Sequence, residues 1–500
     1  MRVTVASRRS DLARIQAYQV GEALQPAHPQ IEISYSFHES LGDRNQNDPL
    51  WQMPEKGVFT QDFRAGLLKG DFDLVVHSWK DLAIEEDPET EIAATLPRAD
   101  ARDLLLVRED RWPEVERTGV MSIFTSSPRR AYNLDSFLRG ALPADVRELN
   151  FVNVRGNVPT RVRKLLESET DGLIVAKAAL DRLLGARQAE FAATQQELRS
   201  ALSQCRWMVL PLRENPSAPA QGALAIEIAR RRSDLRELLS PLNCADTFAA
   251  VTQEREILRG YGGGCHQKIG ASVLRRPFGE ITFLRGLTDD RQELDICSLS
   301  SSTPRPPKTA RAQMWPLDSS DTDWFARERI PVEPANAPIA LWIAKADALP
   351  DDWLPGLRES RQIVWASGVK TWKRLARRGV WVSGSAESLG EQEPQNIETV
   401  VGSRLAWLKL THESGYKDGT MPRLATYRLV PKNGQVDLGG KTYFFWKSGS
   451  SFEHALTLNP WIKSMTHFCG PGNTQRIMER NGVQPVVFLD HAQWLEEMSV

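Results

Sequence analysis

The sequence is short of cysteine, of long apolar runs and of net charge, and each shortage excludes something. Five cysteines occur in 500 residues: Cys205, Cys244, Cys265, Cys297 and Cys469. They are odd in number and scattered, without CxxC or CxxxH spacing. Neither a disulfide framework nor a structural zinc site is indicated, and no metal is expected. No stretch approaches ~18 uninterrupted apolar residues, and the start, MRVTVASRRSDLARIQ, lacks the apolar core of a secretory signal. A formal net charge of −1 gives no general attraction to nucleic acid or acidic membrane. These shortages point to a cytoplasmic protein, expected to be a monomer without nucleic-acid or membrane partners. Any basic site must be local.

What is present is ordinary globular composition, 41% hydrophobic and 25% charged, enough for three to five domains at about 150 residues each. The first third alternates short apolar runs with helical patterns, which argues for α/β units. Arg2 to Val5 reads as a strand. Ser10 then caps a helix whose Ala13, Ala17, Val20 and Leu24 share one face. Thr60 to Lys69 reads as a helix stopped by Gly70. Asp73 to His77 is a buried strand that delivers Ser78, Lys80 and Asp81 into a loop. A second set of units begins near Met121. Ser127-Pro128 opens a helix carrying Arg129 and Arg130, and VRGNVPTRVRKLLES runs from a loop with Arg155 into a helix with Arg161. GLIVA at 172–176 is another buried strand, and the helix after it carries Arg182. Residues 219–230 form a turn and an apolar strand, and Thr247 to Leu258 a helix ending in Gly262-Gly263-Gly264-Cys265. A flexible Ser/Thr/Pro stretch spans Ser298 to Ala310, with a short helix expected around Asp321 to Arg327. From Pro338 a different, tryptophan-rich domain starts, with strand-like ALWIA, IVWAS, GVWVS, TYFFW and PVVFL.

The chemistry concentrates in arginines at strand ends and helix starts: Arg8, Arg129, Arg130, Arg155 and Arg161. Each has a small polar residue or glycine nearby, namely Ser10, Thr125, Ser127, Gly156 or Asn157. Guanidinium forks and free helix amides suit a multiply carboxylated or phosphorylated ligand. Solvated surface arginines are the plainer alternative. No basic stripe with interleaved aromatics accompanies them, which disfavours nucleic acid. Asp81 stands at a strand's carboxyl end beside Lys80, placed to act as an acid, to steady a cation, or merely to cap a helix. Cys265, in its triple-glycine loop, is a covalently loaded or nucleophilic thiol or else a spare one.

Over roughly residues 1–330 these segments resemble the porphobilinogen deaminases, also called hydroxymethylbilane synthases. VASRRSDLARIQA, FDLVVHSWKDL, TSSPRRAYNL, VRGNVPTRVRKL, DGLIVAKAALDRLL, PAQGALAIE and GGGCHQKIGA carry the resemblance, in the family's order. It implies an α/β enzyme of haem biosynthesis that condenses four porphobilinogen molecules to hydroxymethylbilane. Two periplasmic-binding-protein-like lobes are implied (1–104 with 211–238, and 105–210), and a small α+β domain at 239–330. Cys265 would hold a dipyrromethane cofactor by a thioether, and Asp81 would be the catalytic carboxylate. Arg8, Ser10, Lys80, Thr125, Ser127, Arg129, Arg130, Arg155 and Gly156 would bind the cofactor. Arg8, Lys56, Phe59, Ser78, Arg155, Arg161, Arg182 and Gln221 would bind porphobilinogen and its linear oligopyrroles. Departures from the family pattern include Asp11 for a proline, Ala179 and Ala220 for glycines, and Lys268 for a proline.

Residues 338–500 resemble the uroporphyrinogen III synthases, which implies a two-lobed α/β domain that cyclises hydroxymethylbilane with ring inversion. IVWASGVKTWKRL, GVWVSGSAESL, LATYRLVP, YFFWKSGSSFEHAL and FCGPGNTQRIMERNG carry this second resemblance. Ser367, Tyr427 and Ser448 are the candidate site residues, whereas Trp446, Gly472 and Asn473 stand where that family has hydroxyls. The rival readings are a partner-binding C-terminal domain without activity and, for the whole chain, a two-lobed binding protein without catalysis.

Overall fold

The computed structural model describes residues 1–39, 61–262, 267–318, 324–335, 339–415, 419, 421–432 and 436–500. Lys56, Phe59 and Cys265 lie outside the described residues. Among those residues no helix is long and apolar enough to cross a membrane.

Five sheets organise the chain. The first has the order Glu32–His38, Arg2–Arg8, Leu74–Ser78, Leu224–Ala229, Thr90–Ala94. Its opening strand buries Val3 and Val5 completely and feeds the helix Asp11–Ala27, whose Ala13, Ala17, Val20 and Leu24 face is buried. Leu224–Ala229 enters antiparallel between Leu74–Ser78 and Thr90–Ala94. The chain thus leaves this sheet, builds another, and returns. The second sheet runs Glu148–Val152, Val120–Phe124, Gly172–Ala176, Asp103–Arg108, Cys205–Val209. A third is an antiparallel meander of Gly270–Arg276, Gly279–Leu287 and Glu293–Ser301, so the stretch expected to be flexible from Ser298 starts inside a strand.

The last two sheets belong to the C-terminal region. A six-stranded sheet has the order Phe325–Arg329, Arg423–Pro431, Trp407–His412, Ala340–Ile343, Val364–Ala366, Gly384–Ser385. A four-stranded sheet is made of Met314–Trp315, Tyr443–Trp446, Thr466–Cys469 and Val486–Val487. The boundary expected between 330 and 338 therefore falls earlier, because Met314–Trp315 and Phe325–Arg329 already pair with these sheets. The helix expected near Asp321 to Arg327 is a correction of the same kind. Phe325–Arg329 is a strand, held antiparallel to Tyr427–Pro431 by a ladder that local pattern does not reveal. In GVWVS the backbone is extended but unladdered; Ser383 N donates to Val364 O at 2.8 Å, and Ser383 O accepts from Val209 N at 2.8 Å.

That last bond crosses from the C-terminal region into the second sheet, and the cores cross with it. One apolar cluster joins Leu105, Met121, Phe137 and Leu138 to Leu341, Trp353, Trp372 and Leu375. Another joins Leu104, Leu173 and Leu198 to Trp342, Trp365 and Ile397. Trp372, fully buried, packs edge-on against Phe137 and donates its indole N–H to Ala141 O at 3.0 Å. Trp381 does likewise to Trp207 O at 3.0 Å. Trp342, Trp353, Trp365, Trp372 and Trp381 lie in these shared cores, whereas Trp315, Trp324, Trp446 and Trp494 fill the core of the four-stranded sheet.

Candidate active site

The candidate side chains come from short segments that end a strand or open a helix. Leu74–Ser78 passes into a single 3-10 turn, Trp79–Asp81, with Ser78 in the capping position. Asp81 closes that turn, so it is not a helix N-cap. The carboxylate is exposed rather than buried, and no described residue forms a hydrogen bond or ion pair with it. Its neighbours are cationic: Asp81 acts electrostatically on both Lys80 and Arg161. Ser78 Oγ accepts from Gln16 Nε2 at 2.8 Å, which ties the turn to the first helix.

The helix Val158–Glu167 starts as its sequence promises, with Asn157 Oδ1 accepting from Thr160 N at 2.9 Å. Gly156 stands before it at φ +116, where a Cβ would come within 2.7 Å of Thr160. Only glycine suits that position. Its carbonyl accepts from Arg161 Nε at 2.7 Å, which aims the guanidinium. Burial, then Arg130 and Arg155, lower the Arg161 pKa to about 10 against the opposing pull of Asp81. Lys80 is lowered too, first by burial, with Arg130 and Arg129 acting the same way and Asp81 and Asp103 opposing. Both cations are penalised first by burial, and an anionic ligand beside them would offset that penalty.

Arg129 and Arg130 do something different from what their motif suggests. Only 4% and 6% exposed, they converge on Asp103, the first residue of the strand Asp103–Arg108. Arg129 Nη2 reaches Asp103 Oδ2 at 2.8 Å, and Arg130 Nη2 reaches Oδ1 at 2.7 Å. Arg129 Nη1 also donates to Asn215 Oδ1 and Pro216 O, and Arg130 Nη1 to Ile174 O. Burial would raise the Asp103 carboxyl, but Arg130 and Arg129 outweigh it and hold it well below the usual carboxylate range. Both arginines are thus internal struts. Gln221, 1% exposed, is likewise committed: its amide donates to Asp103 Oδ1 and Ala101 O at 2.8 Å each, and its carbonyl accepts from Lys80 Nζ at 3.3 Å. Its carbonyl thereby holds the Lys80 ammonium. The preceding Ala220 adopts φ +66, the left-handed conformation that glycine would take without strain.

Arg182 also spans the two lobes, donating to Gln19 Oε1 at 3.2 Å and Gly222 O at 2.8 Å. Burial lowers its pKa to about 10. Ser127 caps its helix by accepting from Arg130 N, and Thr125 Oγ1 accepts from Ser127 N at 3.3 Å. Ser10 caps the first helix without a side-chain bond, and half-buried Arg8 ends the strand before it. The residues missed by sequence reasoning are Asp103 and Asn215. Asp103 sits in ARDLLLV, where nothing local marks it as the counter-ion of a helix 26 residues away.

In the C-terminal region the three candidates are not joined. Ser367 Oγ donates to Ala344 O at 2.8 Å, and Ser448 caps the helix Gly449–Leu458 on the other sheet. Tyr427 is 2% exposed, inside the six-stranded sheet. Trp446 is fully buried and donates to His467 Nδ1 at 2.9 Å, so it belongs to the core.

Comparison with known proteins bears on rather more than half of the chain. A family model described as porphobilinogen deaminase, dipyromethane cofactor binding domain, matches residues 3–237. A porphobilinogen deaminase of Desulfitobacterium hafniense is 36% identical over 269 residues, covering 54% of this chain and 79% of that protein. One from Clostridium novyi is 32% identical over 293 residues, covering 58% and 89%. A solved uroporphyrinogen-III synthetase from Helicobacter pylori covers 35% of this chain and 89% of its own, at 14% identity and a TM-score of 0.25, too slight a likeness to weigh.

If Asp103 is the counter-ion described, replacing Arg129 by leucine strands part of a buried charge. The cost is about 3 kcal/mol or more, read as a lowered urea midpoint of the full chain. An unchanged midpoint would mean that Arg129 is not a strut.

Proposed function

The chain belongs to the porphobilinogen deaminase family, and from that premise we propose that its cleft deaminates porphobilinogen at Asp81 and holds the growing chain on Arg155, Arg161 and Lys80. The reaction is that of tetrapyrrole biosynthesis: four porphobilinogen molecules are joined head to tail, with loss of ammonia, into hydroxymethylbilane. What supports the assignment of roles is the exposed Asp81 carboxylate, which has no hydrogen bond or ion pair among the described residues and acts electrostatically on Lys80 and Arg161.

The donor set suits the family's cofactor, dipyrromethane, which bears acetate and propionate groups outside and pyrrole N–H groups inside. When bound, it supplies the pyrrole end from which the chain grows. Arg155, Arg161, Lys80, Ser10 and Ser127 would hold its carboxylates, with Cys265 as the attachment point.

Loss of ammonia from porphobilinogen leaves a methylene cation delocalised onto the pyrrole nitrogen. An exposed carboxylate at the end of a rigid strand can accept that N–H and offset the charge as it develops. Lys80 and Arg161 keep the substrate's carboxylates away from Asp81, so the one anion facing the cation is the enzyme's own. Gln221 fixes Lys80 for this task. Asp81→Ala is expected to cut turnover by about 10²–10³, on the order of 3–4 kcal/mol in the barrier. Asp81→Glu should be much milder. Equal, small losses from both would remove Asp81 from the chemistry.

A second reading concerns residues from about 314. The chain starts in the four-stranded sheet, crosses to the six-stranded one for Phe325–Arg329 through Arg423–Pro431, and returns. Two lobes joined by two crossings suit a domain that closes around a large flexible product, and hydroxymethylbilane is that product. We infer that this domain cyclises it to uroporphyrinogen III. Supplying porphobilinogen to the full chain and oxidising the products tests this: uroporphyrin III supports the inference, and uroporphyrin I alone refutes it.

A further inference from the structure

The carboxyl ends of the central strands in the six-stranded sheet hold a group of cations that the roles given so far do not use. Ala340–Ile343 runs parallel to Trp407–His412, with Ile343 opposite Leu410. Two residues further on, Lys345 and His412 therefore stand side by side. His412 in turn pairs with Tyr427 of the next strand, and Tyr427 with Arg329 of the strand beyond. The rings of His412 and Tyr427 lie 5.8 Å apart. Open α/β sheets bind ligands at this end of their strands.

Charge is unbalanced across this row. Asp347 is shared by Arg327 at 3.2 Å and Arg374 at 2.5 Å, and its carbonyl accepts from Arg329 at 2.5 Å. One carboxylate thus serves two guanidiniums, and a third, Arg329, has only the backbone carbonyl. Lys345 has no hydrogen-bond or ion-pair partner among the described residues; burial, then Arg327 and Arg374, lower its pKa, and Asp347 opposes them. Arg423 donates to the carbonyls of Glu413 and Gly415, and Lys409 is paired with Glu391. His412 feels the surplus: burial, then Lys345, Lys409, Arg423 and Arg327, push its pKa down to about 4. The imidazole is neutral at pH 7, with Nδ1 beside Ser414 Oγ at 3.1 Å.

We propose that Lys345, His412 and the Arg327–Arg374 pair form an anion-binding crevice that takes carboxylate groups of a polycarboxylated tetrapyrrole. The ligand class rests on the cyclisation reading above; the crevice itself rests on the charge and register just described. Arg327, Arg329 and Tyr427 lie on the two-stranded ladder through which the chain passes between the two C-terminal sheets. An anion held there is held at the joint between the lobes.

The probe is uroporphyrin I, a stable octacarboxylate, titrated against the full chain by equilibrium dialysis. The variant is Lys345→Met, with the urea midpoint as folding control, since the Lys345 ammonium has no described partner to lose. Losing one charge-assisted contact of about 1.5–3 kcal/mol should weaken one class of sites at least tenfold. Arg374→Met should weaken the same class, and pyrophosphate should compete poorly at all sites. Unchanged binding in both variants overturns the crevice, whichever uroporphyrin isomer the wild type produces. Tighter binding of pyrophosphate than of uroporphyrin at the Lys345-dependent site overturns the polycarboxylate assignment. If the wild type yields uroporphyrin I alone and yet loses uroporphyrin affinity on Lys345→Met, the crevice stands and the cyclisation reading falls.

Discussion

A buried carboxylate, Asp103, sets the terms for the cleft. Taking it out of water would cost several kcal/mol uncompensated, and Arg129, Arg130, Asn215 and Gln221 all turn inward to meet it. These partners come from the second lobe and from the segment returning to the first sheet. Through Gln221 the network extends to Lys80, one residue from Asp81. The consequence for function is a division of labour. Arg129 and Arg130 brace the second sheet and the returning segment from inside, and in the proposed function Arg155, Arg161 and Lys80 meet the ligand.

How much of this the sequence discloses depends on how local the signal is. The first helix, its apolar face and the strand leading to Asp81 follow from spacing alone, and the structure has them where expected. The loop with Arg155 that runs into the helix with Arg161 follows for the same reason. The inward turn of Arg129 and Arg130 was not, because a motif gives residue type and position but not the counter-ion. Gln221 and Arg182 were read as substrate contacts and are bonded within the protein. Phe325–Arg329 was read as a helix because its partner strand lies about a hundred residues on. The early start of the C-terminal sheets was hidden behind a Ser/Pro-rich stretch.

The shared cores add a constraint on motion. Close-packed interiors do not shear easily, so the second sheet and the six-stranded sheet behave as one body. The first helix meets the second sheet's helices through apolar packing of Ile15, Leu12 and Tyr18 and through polar pairs beside it. Asp11, in place of the family's proline, accepts from Thr194 Oγ1 at 2.8 Å and pairs with Arg14 at 2.7 Å. Arg14 and Tyr18 both reach Glu190. Polar contacts of this kind break and reform in water at little net cost, which suits a cleft that must admit several substrates in turn.

The central claim is that this cleft works on carboxylated pyrroles from a covalently held primer, and it is tested most directly by the mass of the protein itself. Intact-mass measurement of the freshly purified full chain, followed by peptide mapping, should find dipyrromethane attached at Cys265. An unmodified Cys265 thiol in protein that still consumes porphobilinogen would contradict it.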